Sequence, residues 1–168
     1  MQPKAAIFKW QRVDTIINSI ASTYMDNPGE WQIMDLAAYK KLNPDTDYIT
    51  SGIARQNFIN RAVSEIDDSN TTALALSKYI ITLKSIGIDA SKLFTPSGSI
   101  MRNVDAPAKL RLFNINSIFD VPWVLIANQQ GNLNLSPQQI KDIVKVIKDS
   151  QGDGLFGYTW DGIKYDDP

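Results

Sequence analysis

The feature that most constrains this chain is an alternation between two kinds of apolar segment. Val13 to Tyr24, Ile53 to Ile66 and Pro137 to Asp149 carry apolar residues at helical spacing on one face only. Between them stand EWQIMDLAAYKKL from Glu30, TTALALSKYIITLKSIG from Thr71 and DVPWVLIANQQG from Asp120, which are apolar around most of their circumference. A helix of the second kind belongs inside and one of the first kind outside. The inner segments begin near residues 30, 71 and 120, a spacing of roughly 40 to 50 residues that suits two-helix repeats. The expectation is an all-α array of helical hairpins, with strand periodicity weak everywhere except the tail.

The punctuation agrees with that reading. Asp26-Asn27-Pro28-Gly29 breaks the chain before the first inner segment, and Gly87 ends the second. Asp67-Asp68-Ser69-Asn70 supplies capping oxygens ahead of a helix expected to open at Thr71-Thr72. Pro122 and Pro137 suit first helical turns, with Asp120 and Ser136 as the expected caps. Residues 90–111, with Pro96, Gly98 and Pro107, read as an elaborated connection holding one short helix over Ala106 to Phe113.

Composition excludes several kinds of chemistry. The 168 residues include no His and no Cys, which removes imidazole bases, Ser-His-Asp triads, thiolate nucleophiles, disulfides and ordinary zinc sites. Seventeen basic against eighteen acidic residues, in no basic stripe, make nucleic acid a poor partner. No apolar run approaches the roughly 20 residues of a membrane span, and the first twelve lack the apolar centre of a signal peptide. With 43% hydrophobic residues, one globular domain over 1–168 is expected, and no cofactor is implied.

After the last helical segment comes Gln151-Gly152-Asp153-Gly154-Leu155-Phe156-Gly157-Tyr158-Thr159-Trp160-Asp161-Gly162, a tight glycine turn leading into an extended aromatic stretch. It follows a helix and lacks a Lys-Ser/Thr pair, so it is no phosphate loop. The Gln-x-x-Gly-x-Phe-Gly pattern resembles the glutamine-tryptophan repeat of squalene and hopene cyclases. Together with TTALALSKYIITLKSIGID and WVLIANQQG it also resembles the prenyltransferase-like α/α-toroid repeats of secreted Gram-positive surface proteins, in the branch similar to intrinsic factor.

That resemblance covers most of Glu30 to Asp161 and implies a secreted or cell-surface α/α toroid. About three hairpins are present against about six in a full ring, which implies a partial ring and a fragment of a longer chain. The remainder of the polypeptide, or self-association, would then cover an apolar edge. The catalytic members' signatures are not matched: Asp166-Asp167 is only a fragment of an Asp-x-Asp-Asp cluster, and the prenyltransferase zinc ligands need Cys and His. The resemblance therefore implies a noncatalytic scaffold or binding module for a small molecule, glycan or protein partner. A cobalamin-carrier-like domain is a further implication, although intrinsic factor also uses a β-domain.

Candidate ligand-binding residues are Trp31, Asp35, Asp120, Trp123 and Trp160, placed at or near inner-helix starts or on the aromatic tail. The plainer readings are that tryptophans fill the core and that helix-start acids are caps. Glu30, Asp35 and Asp120 also leave open a glycan-active α/α-barrel enzyme using paired carboxylates. Asp45-Thr46-Asp47 and Asp67-Asp68-Ser69-Asn70 offer oxygen ligands, but neither has calcium-loop spacing, and no metal is expected.

Overall fold

The computed structural model describes residues 15–24, 27–42, 52–151, 157–160 and 163–166. These are mostly helical: α1 over 15–23, α2 Glu30–Leu42, α3 Gly52–Asp67, α4 Ala73–Ser85, α5 Ala106–Leu110, α6 Val121–Gly131 and α7 Pro137–Asp149. Two antiparallel hairpins correct the all-α expectation, β1 Leu93–Ser97 with β2 Ile100–Val104, and β3 Gly157–Trp160 with β4 Ile163–Asp166. The chain forms two compact units, 1–62 and 63–168, with the boundary inside α3.

In the first unit the buried side chains include Ala21, Pro28, Ile33, Leu36, Ala37, Ala54, Phe58 and Ala62. Gly29 opens α2, its N–H donating to the Gln32 side chain and its carbonyl accepting from Ile33 at 3.1 Å. Arg61, on the polar side of the Ile53 to Ile66 segment, turns back onto its own unit. Its guanidinium lies over the Phe58 ring, 5.5 Å from the centroid, and donates to Asn27 Oδ1 at 2.6 Å and to the Pro28 carbonyl. The expectation that α2 is buried all round fails, because Trp31, Asp35, Ala38 and Lys41 are exposed while Ile33, Leu36 and Ala37 are buried.

In the second unit α4 has the most buried surface, with Leu76, Ile80 and Leu83 fully enclosed. Thr72 caps it, accepting from the Ala75 N–H at 3.1 Å. Even its polar side chains are absorbed: Ser77 and Thr82 donate to the carbonyls of Ala73 and Lys78 at 2.7 and 2.8 Å. Such back-bonding satisfies a buried hydroxyl without a tertiary partner.

α6 packs along α4. Lys78 reaches Trp123, and Ile80 meets Gly131, so advancing along α4 also advances along α6 and the two helices run the same way. Gly131 makes the close approach feasible: a Cβ there would lie 2.4 Å from Ile80 Cγ2. Parallel neighbours need a return connection, which residues 86–120 supply with β1, β2 and α5 rather than one long outer helix.

The β1–β2 hairpin replaces what the sequence suggests is irregular. Gly98, at φ +61°, is the first of the two residues joining the paired ends Ser97 and Ile100, a position where positive φ matches the twist of the ribbon. Leu93 and Val104 pair at its buried base, and Arg102 ties it to the end of α3 through Asp67 at 2.5 and 2.6 Å. Lys109 of α5 donates to the Ile66 carbonyl at 2.7 Å. α7 begins in a complete capping box and buries Ile143, leaving Ile140 and Val144 exposed.

Candidate ligand-binding site

At the start of α6 one candidate side chain, Trp123, meets a side chain of another helix. Asp120 stands at the N-cap position, with Trp123 three residues on and therefore on the same side of the helix. The Lys78 ammonium of α4 lies 5.2 Å from the centroid of the Trp123 ring, within cation-π range. Lys78 interrupts an otherwise apolar stretch, ALALSKYIITL, and that interruption is the sequence signal that could have marked it.

Asp120 does not cap as expected. Its backbone is already helical, at φ −81° and ψ −31°, because its N–H closes a turn onto the Ser117 carbonyl at 3.1 Å. A cap needs an extended backbone to swing its oxygen over the first free N–H groups, and Pro122 removes one of those donors. The carboxyl is therefore half-buried and makes no capping hydrogen bond. Burial pushes its pKa above the ordinary carboxylate value, since leaving water penalises the charged form.

Trp31 and Asp35 lie one turn apart on α2, in the first unit, and both are exposed. Trp31 retains 55% of its surface, so it does not fill a core. Trp160 is placed on β3, and its side chain lies outside the described residues, as do Asp45-Thr46-Asp47 and residues 152–156 of the glycine turn. Glu30 begins α2 as expected.

Of the oxygen cluster at 67–70, Asp67 is engaged by Arg102, which holds its carboxyl below the usual range. Asp68 accepts from the Asn70 N–H at 2.8 Å. Among the described residues no three acidic side chains converge on a point where a metal ion could sit.

A cleft of about 190 Å³ lies where α4 and α6 end, lined by Lys84 of α4, Gly87 and Asp89 beyond it, Gln130 and Gly131 of α6, and Asn132 after it. Both helix C-termini border it, so carbonyl ends bias it against anions. Its acid is already used: Asp89 accepts from the Ser91 N–H and hydroxyl at 3.0 and 2.7 Å, which lowers its pKa. The α6 start is thus the better candidate, because Asp120 has no hydrogen bond to surrender.

Comparison of the chain with family models, with curated proteins and with solved structures finds no match.

Proposed function

We propose that this chain is a noncatalytic α/α-toroid-type module of a secreted or cell-surface protein that binds a small molecule, glycan or protein partner at the start of α6. The observation that carries the reading is the start of α6: Asp120 is a half-buried carboxyl without a capping bond, and Trp123, three residues on, has the Lys78 ammonium over its ring. An aromatic face flanked by an acceptor and a cation suits a ligand with an apolar surface and hydroxyl or amide groups. The parallel packing of α4 and α6 supports an inner-helix arrangement, since inner helices of successive hairpins run in one direction.

The test is a thermal-shift screen of small molecules and glycans, including cobalamin, followed by titration of hits into Trp123→Ala and Asp120→Asn. A hit whose affinity falls about tenfold or more in both variants is expected. Hits that bind both variants as tightly as the parent would place the ligand elsewhere.

One observation favours a glycan-cleaving enzyme as the second reading: a carboxyl whose pKa is raised by burial is the form a general acid takes. That chemistry also needs a second carboxylate about 5 to 9 Å away. Hydrolysis of any oligosaccharide, abolished in Asp120→Asn, would replace the binding-module reading with it.

A further inference from the structure

Residues 114–117 run without a turn or bend beside α7, and among the described residues no backbone N–H or carbonyl of Asn114, Ile115 or Asn116 bonds to another backbone group. Asn114 and Asn116 are exposed while Ile115 and Ser117 are half-buried, the two-residue alternation of a strand. An open groove of about 400 Å³ separates this segment from the Asp142, Lys145, Val146 and Asp149 side of α7. A smaller hole of about 30 Å³ adjoins it, sharing Asn114, Ile115 and Asp142 and walled by Leu110, Val124 and Ile143.

The two walls match in length. Four extended residues span about 13 Å, and the seven-residue step from Asp142 to Asp149 rises about 10 Å. The carboxamides of Asn114 and Asn116 repeat every two residues, about 6.6 Å, which is also the repeat of an extended peptide, and each carboxamide can both donate and accept. The groove charge is unbalanced. Lys145 pairs with Asp149, whereas among the described residues Asp142 has only the Gln138 amide, at 2.8 Å.

We propose that this groove holds an extended segment of a partner protein, added strand-wise to Asn114–Ser117, with a Lys or Arg facing Asp142 and a short aliphatic side chain in the adjoining hole. Main-chain bonds supply the affinity in such strand addition, and the ionic and apolar contacts supply the selectivity. The inference rests on the binding-module reading but uses a different surface from Trp123.

The test pans a phage-displayed library of random linear nonamers against the full chain and titrates the selected peptides, resynthesised with a fluorophore, by anisotropy. The expected peptides carry a basic residue near an Ala or Val. They should protect amides 114–117 from hydrogen exchange and bind Asp142→Asn about two- to fivefold more weakly, with a shallower salt dependence. Ile115→Pro, which deletes one strand N–H, should abolish binding, while Asn116→Ala, which keeps the backbone, should weaken it severalfold and so guards against misfolding of the proline variant.

Failure to select any peptide would overturn the proposal, as would selected peptides indifferent to Asp142→Asn that leave 114–117 unprotected. A small molecule or glycan dependent on Trp123, with no peptide in the groove, would overturn it while leaving the binding-module reading standing. Groove peptides with no Trp123-dependent ligand would do the reverse for the α6 site.

Discussion

α6 and α7 both begin with a proline in the first turn, yet they are held in opposite ways. α7 is secured at its start. Ser136 accepts from the Gln139 N–H at 3.2 Å, Gln139 returns the bond to the Ser136 N–H at 2.9 Å, and its amide also donates to the Arg111 carbonyl at 2.8 Å. α6 has no side-chain cap and depends on its flank, where Val121, Val124 and Ala127 are buried and Gly131 presses on Ile80. One helix is specified by its local sequence and the other by tertiary packing.

The largest expected effect attacks that flank. Gly131→Ala would place a methyl 2.4 Å from Ile80 Cγ2, on a fully buried β-branched side chain with little rotamer freedom. Overpacking of about 2 kcal/mol, the middle of the usual range, less up to about 1 kcal/mol of helix propensity gained over glycine, leaves a loss of about 1–2 kcal/mol. In a chain of this size that lowers Tm by roughly 2–8 °C. A calorimetric Tm equal to the parent's would show that α6 does not depend on the approach to α4.

Ser136→Ala attacks the start of α7 and should cost about 1 kcal/mol by urea denaturation. The same change at Asp120, Asp120→Ala, should cost nothing comparable, because no cap bond is lost. Equal losses at the two positions would erase the contrast. Smaller still is the Arg102–Asp67 ion pair, long-range like the α6 contacts but largely exposed. Arg102→Ala should cost less than Ser136→Ala, because solvent screens the pair. Asp67 has its pKa lowered by Arg102, so the contribution is present above the ordinary carboxylate pKa and is lost as pH falls through the lowered value. A pH titration of hairpin amide shifts reads this directly.

The elements legible in the sequence are those whose signals are local. Ser136-Pro137 and the Ile140 to Ile147 stripe specify α7 with few neighbours involved, whereas the cap of α4 falls on Thr72, past the expected oxygens of Asp67 to Asn70. The β1–β2 hairpin was readable in principle from Gly98-Ser99 between Leu93 and Val104, but Pro96 and exposed Phe94, Ile100 and Met101 break the alternation that marks a strand. Inner and outer helices were harder to separate, because an apolar sequence does not reveal how much surface its neighbours cover: Leu125 and Ile126 of α6 remain about 40% exposed. At the candidate site Asp120 and Trp123 were visible and Lys78, which lies over the Trp123 ring, was not, since the register of α4 against α6 depends on Gly131 and Ile80 meeting.

The smallest expected effect has the opposite sign and bears most on function. Asp120 has its pKa raised by burial, so between the unfolded and folded values the folded chain binds more protons than the unfolded one, and stability falls as pH rises through that window. Above it the charged carboxylate persists at a small cost that Asp120→Asn removes. The variant should therefore be slightly more stable than the parent at neutral pH and no more stable in acid, measured as the difference between their Tm values across the titration. A variant less stable at neutral pH would mean that the carboxylate has an internal role. Asp120 would then join Ser136 as a structural residue, and the contrast between the two helix starts would no longer support a ligand site at α6.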